Sequence, residues 1–281
     1  MNDYCLGQYE KSMPNDLDLC DKLKLSKEFG FDYLEISVDE TDEKLKRLNW
    51  DLEEKKNLVK AMFKSEQFIR TMCLSGHRRF PLGHYDKSIQ DKSLEIMEKA
   101  ISLASDLGIR IIQLAGYDIY YEEGNDITKN IFEKNLEKCV YMASKKGIVL
   151  AFETMETSFM DTIKKSMFYV KNLNSPFLGI YPDIGNLKNA SLIYGHEVNE
   201  DLELGRGHIF AAHLKDTLPN IYREVKFGTG HTEFFENVKL LKNMGVRMFT
   251  GEFWYTGNSD WKESCFYSCN FLRNILDKAF N

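Results

Sequence analysis

The stretch Lys145-Lys146-Gly147-Ile148-Val149-Leu150-Ala151-Phe152-Glu153-Thr154 reads as the end of a helix, a glycine stop, a short apolar strand, and a carboxylate where that strand runs out. Strands buried on both faces of a parallel sheet are near-continuous apolar runs, and α/β sheets place their chemistry at the carboxyl ends of such strands. Glu153 is therefore a candidate working carboxylate if the unit repeats. It does repeat. Helical stripes run through Leu17 to Phe29, Met97 to Leu107, Leu136 to Ala143 and Phe235 to Leu241, and they stop at Gly30, Gly108, Gly147 and Gly245. Each stop leads into an apolar run: Phe31 to Val38, Ile109 to Leu114, Ile148 to Phe152 and Val246 to Glu252.

Less stereotyped strands fill the intervals: Asp3 to Gln8, Ile69 to Leu74, Phe177 to Tyr181 and His208 to Leu214. Eight strands in 281 residues give about 35 residues per unit, the scale of a (β/α)8 TIM barrel. There is no Gly-x-Gly-x-x-Gly after an early strand and no Walker glycine-lysine loop, so a doubly wound nucleotide-binding sheet is the weaker choice. No low-complexity or Pro/Ser-rich linker divides the chain, which predicts one domain over residues 1–281. Charged runs such as Asp42 to Lys46 and Asp51 to Lys60 read as solvated helix faces.

The composition, 43% hydrophobic and 28% charged with a net charge of -6, describes a soluble globular chain with no basic footprint for nucleic acid. No run reaches membrane-spanning length, and Met1 to Cys5 does not open a signal peptide. The six scattered cysteines read as reduced thiols of a cytoplasmic protein; Cys265 and Cys269 lack the neighbours a zinc site needs.

In a barrel, groups at the carboxyl ends of strands converge on one mouth. Those ends supply Glu153, Asp183, His213 and Glu252. Singly, an Asp after a strand is often only a helix cap and a His in an apolar run only a satisfied core group. Together, three carboxylates in one mouth repel unless a cation joins them, and three oxygens with one nitrogen suit one divalent ion, Mn²⁺ or Mg²⁺ ahead of Zn²⁺ or Co²⁺.

The phrases Phe152-Glu153-Thr154, Asp183-Ile184-Gly185-Asn186, His213-Leu214-Lys215-Asp216-Thr217, Phe227-Gly228-Thr229-Gly230 and Gly251-Glu252-Phe253-Trp254 resemble the xylose-isomerase-like barrels. Tyr33 to Glu40 and Met72-Cys73-Leu74-Ser75-Gly76-His77-Arg78-Arg79-Phe80-Pro81-Leu82-Gly83 narrow the resemblance to the L-ribulose-5-phosphate (L-xylulose-5-phosphate) 3-epimerases over essentially the whole chain. That resemblance implies Glu153, Asp183, His213 and Glu252 as metal ligands, with Glu153 and Glu252 doubling as the acid/base pair that inverts carbon 3 of a phosphorylated L-pentulose through a metal-stabilised enediolate.

Expected substrate contacts are Glu35, His77, Arg78, Asn186, Lys215, Arg223 and Lys226, with the amides of Gly228 and Gly230 forming an anion nest. Asn186 stands where related ketose 3-epimerases often carry a histidine. The expected partner is a small phosphorylated ketose, and the aromatic tail around Trp254, Tyr255, Trp261, Phe266 and Tyr267 has two readings, a homodimer interface or closure of the barrel's own end. Other readings of the same barrel are an aldose-ketose isomerase, a DNA-repair endonuclease, disfavoured by the acidic chain and its six histidines, and a sugar-phosphate binder without catalysis.

Overall fold

Eight strands, β1 (Cys5–Tyr9), β2 (Tyr33–Val38), β3 (Phe68–Leu74), β4 (Ile111–Ala115), β5 (Val149–Glu153), β6 (Leu178–Tyr181), β7 (Ala212–Leu214) and β8 (Met248–Gly251), pair in parallel in the order β6-β5-β4-β3-β2-β1-β8-β7. The structure is a computed structural model that describes residues 3–281. Single parallel bridges, Ile180 to Ile209 and Asp183 to His213, join the two ends and close the barrel. The (β/α)8 architecture expected from the sequence is the one observed, and the four helix stops Gly30, Gly108, Gly147 and Gly245 all carry positive φ.

The seventh strand is shorter than the expected His208 to Leu214. Between the two closing bridges one side advances three residues and the other four, so the ladder carries an extra residue there. Pro182 has no N–H to contribute, and pairing resumes only where its carbonyl accepts from the His213 amide at 2.8 Å.

Side chains alternate between two environments. On β2, Leu34, Ile36 and Val38 join the hydrophobic layer beneath the helices, whereas the Tyr33 hydroxyl and the Glu35 carboxylate meet partners from across the barrel. The lower interior is a small apolar plug of Ile111, Ala151, Tyr181 and Ala211. Above it lies a hydrogen-bonded polar layer in which Thr250 Oγ1 meets both Tyr33 and Tyr181 hydroxyls, at 2.8 and 2.7 Å. Barrels can afford polar interiors only where partners converge, because an unpaired buried group costs its full desolvation.

The aromatic tail packs on its own barrel: Trp261 and Phe266 stand edge-on to Phe29, and the Tyr267 hydroxyl donates to the Phe227 carbonyl. All six cysteines are free thiols. No helix among the described residues is long and apolar enough to cross a membrane.

The run Asp42 to Lys46 is not wholly a solvated face. Lys44 is buried, and with Lys22 and Arg47 it surrounds the fully buried Glu10 carboxylate just past β1. Burial alone would raise the Glu10 carboxyl, but Arg47, then Lys44 and Lys22, pull it down to about 2. Replacing Glu10 by Gln strands three cations and should destabilise the fold by roughly 3–5 kcal/mol, measured by denaturant unfolding. Because the folded value is depressed from an ordinary 4.5, the carboxylate's contribution is complete above that value and is lost as pH falls through about 2. The acid-side loss of stability should therefore be shallower in Glu10→Gln than in the parent.

Candidate metal centre and mouth of the barrel

Glu153 is the last residue of β5, Asp183 follows β6, His213 is central in β7 and Glu252 follows β8. The barrel brings one donor atom from each of the four within 4.8 Å of the others, and all four residues are buried. His213 Nδ1 lies 3.5 Å from Glu153 Oε1, 3.5 Å from Glu252 Oε2 and 3.9 Å from Asp183 Oδ2. Among the described residues this is the one such gathering of three or more metal-ligating side chains.

Asp183 serves two tasks with its two oxygens. Oδ1 accepts from the Asn186 amide at 2.7 Å and caps the helix Ile184–Tyr194, while Oδ2 faces the cluster. Asp183 Oδ2 and Glu252 Oε2 are both buried without a hydrogen-bond partner of good geometry. Lys215 Nζ lies 2.9 and 3.1 Å from them, one cation against three carboxylates. Two unpartnered carboxyl oxygens beside a ring nitrogen fit a hard or borderline divalent ion.

Electrostatics follow from this crowding. Burial, and then repulsion from Glu252, raises the Glu153 carboxyl, while burial raises Asp183 despite Lys215. Burial works against ionised Glu252 too, but Lys215 and His213 outweigh it and hold its carboxyl well below the ordinary range.

Above the cluster, Arg78, Asn186, Lys215 and Arg223 line one narrow cleft with Glu153 and Glu252, with a free volume of about 50 Å³. The Arg78 guanidinium lies over the Tyr120 ring, 4.7 Å from its centroid, and Arg223 Nη2 pairs with Glu156 at 2.9 Å. Asn186 Nδ2 donates to the Thr154 carbonyl at 2.8 Å.

The other expected contacts lie elsewhere. Glu35 is fully buried beneath His213, its Oε1 2.6 Å from His213 Nε2, because inward-facing β2 positions this low in the strand end below the cleft. His77 is buried against the Ser93 carbonyl, and burial drops its imidazole to about 4, so it is a neutral core group. Arg79 pairs outward with Asp42. Lys226 sits over the Tyr267 ring.

The Gly228 and Gly230 amides do form a nest, but its anion is internal. Both donate to Asp216 Oδ2, at 2.8 and 2.9 Å, while Thr217 and Thr232 amides donate to Oδ1. A Cβ on Gly230 would stand 2.2 Å from Asp216 Oδ1.

Gln113, Tyr9, Lys11, Ser75 and Glu156 belong to this region without having been singled out in the sequence. Gln113 carried a usable signal as the polar member of an otherwise apolar strand. Lys11 carried none beyond its place after β1. Trp254, read only as packing, forms part of the cleft wall.

Residues 23–275 match the family model described as "Xylose isomerase-like TIM barrel". The chain is 41% identical over 275 residues to the L-ribulose-5-phosphate 3-epimerase UlaE of Shigella flexneri, covering 98% of this chain and 95% of that one. With the protein of the same name from Escherichia coli (strain K12 / DH10B) it shares 45% identity over 240 residues, 85% of this chain and 83% of the relative. The chain belongs to this L-ribulose-5-phosphate 3-epimerase family.

Solved structures of more distant sequence carry the family's fold. An L-ribulose 3-epimerase superposes with a TM-score of 0.80 at 16% identity, covering 98% of this chain and 95% of that one. A D-tagatose 3-epimerase-like protein gives 0.78 at 19%, with 98% and 99% covered.

Within this epimerase-family barrel, Asp216 organises the loop that carries Arg223. Asp216→Ala removes an acceptor of four backbone amides, and hydrogen bonds to a charged group are each worth roughly 1.5–3 kcal/mol. The loop from 217 to 232 should become the preferred site of limited proteolysis while the far-ultraviolet circular dichroism of the barrel is unchanged.

Proposed function

We propose that this chain is a divalent-metal-dependent epimerase that inverts carbon 3 of a phosphorylated L-pentulose, interconverting L-xylulose 5-phosphate and L-ribulose 5-phosphate. The observation that carries this reading is the convergence of Glu153 and Glu252 on one buried cluster with Asp183 and His213, in a chain whose relatives bear that enzyme's name.

Inverting a carbon beside a carbonyl requires removal of its proton on one face and delivery of a proton to the other. Glu153 and Glu252 rise from β5 and β8, on different arcs of the barrel, and both border the cleft. One glutamate takes the carbon-3 proton and the other returns one, with the roles exchanged in the reverse direction. Glu153, Asp183, His213 and Glu252 would hold the ion, which when bound supplies a Lewis acid against the negative charge that builds on the substrate oxygens.

Lys215, wedged between Asp183 and Glu252, places an ammonium where that charge develops. Arg78 and Arg223 at the cleft take the phosphate, since planar guanidinium groups match phosphate oxygens in pairs. Six free thiols, four of them buried, fit a cytoplasmic setting.

Incubating the protein with Mn²⁺ and L-xylulose 5-phosphate in deuterated water should place deuterium at carbon 3; no exchange there counts against the reading. Glu153→Gln should lower turnover by roughly 10²–10⁴-fold with the barrel folded. A chelator should abolish exchange, and added Mn²⁺ or Mg²⁺ should restore it.

A further inference from the structure

Two groups approach the imidazole of His213 from inside the barrel. The Gln113 amide nitrogen lies 3.1 Å from Nδ1 and 3.3 Å from Nε2. An amide so nearly equidistant does not choose between the two nitrogens. Glu35 does choose: its Oε1 is 2.6 Å from Nε2 alone.

The Glu35 carboxylate is itself fixed. Its Oε2 accepts from Thr71 Oγ1 at 2.7 Å and from the Tyr181 hydroxyl at 3.0 Å, and Tyr181 is braced in turn by Thr250. All of these groups are fully buried, so no water competes for them. Glu35 Oε1 accepts the Nε2 proton, so Nδ1 is the nitrogen that faces Glu153, Asp183 and Glu252 and that an ion would take in place of any proton those carboxylates hold there.

We propose that Glu35 is the positioning residue of the metal centre, holding His213 in the Nε2–H tautomer so that Nδ1 is the ligand atom. This rests on the metal reading above. The role differs from a packing role because it depends on where the carboxylate stands as well as on its charge. A buried partner on the far nitrogen of a metal-binding histidine orients the ring and strengthens it as a donor, and losing such a partner typically lowers metal affinity about 10–100-fold.

The test uses zinc as a diamagnetic probe on the full chain labelled with ¹⁵N-histidine, His213 being assigned by its absence from His213→Asn. In the zinc-loaded parent, Nε2 should carry the proton and Nδ1 the metal; the reverse pattern overturns the proposal without any variant having to fold. Competition with a chromogenic chelator should then show Glu35→Gln and Glu35→Asp each binding zinc about 10–100-fold more weakly. The aspartate keeps the charge but is too short to reach Nε2. Parental affinity in Glu35→Gln, or in Glu35→Asp, overturns the proposal while leaving the metal site standing. A parent chain that binds no zinc removes the metal reading and this inference together.

Discussion

Four buried carboxylates, those of Glu35, Glu153, Asp183 and Glu252, crowd one imidazole at the foot of the cleft. That crowding is the constraint from which the rest of the site follows. Isolated buried anions would protonate or force the barrel apart, so their charge must be met by cations or by strong donors. Each has a different answer. Glu35 is satisfied by two hydroxyls and by the His213 ring N–H above it, whereas the cluster-facing oxygens of Asp183 and Glu252 stand near Lys215 without a hydrogen-bond partner of good geometry. The centre is thus saturated on its buried side and unsaturated toward the cleft, which is the polarity an ion-binding mouth requires.

The barrel produces this polarity through period-two alternation and an irregular seam. Alternate strand residues face inward, and height along the strand decides whether a side chain braces the floor or reaches the mouth. At the β6/β7 seam, Pro182 withholds an amide and an extra residue enters before His213. Asp183 then starts the next helix with one oxygen and leaves the other for the cluster. A carboxylate that is a helix cap need not be only a cap.

Most of the fold was legible because glycine-terminated helices and apolar strands repeat with regular spacing, and positive φ at Gly147 and its counterparts is why glycine marks those boundaries. The convergence of Glu153, Asp183, His213 and Glu252 was legible for the same reason, since strand ends alone place them. Depth was not legible. Glu35 and Glu153 look alike in sequence, yet one lies under His213 and the other borders the cleft. Pairing was not legible either: Gly228 and Gly230 announced free amides, but nothing local revealed that Asp216, upstream of them, would take both. His77 looked like a mouth residue until the carbonyl of Ser93, on the following helix, claimed its ring.

The rim completes the logic by an opposite arrangement. Each outer cation already has a carboxylate beside it: Lys11 has Asp39 at 2.6 Å, Arg78 has Glu40 at 3.7 Å and Arg223 has Glu156 at 2.9 Å. These pairs are partly solvated, where an ion pair is worth little and its partner is readily exchanged. A phosphate arriving at the rim therefore exchanges weak carboxylate contacts for paired guanidinium contacts, at small cost. The buried cluster below cannot exchange partners in this way, because its groups have no water to return to. An acidic chain can thus offer a cationic rim to an anionic sugar while keeping a surplus of negative charge at the centre for a metal ion.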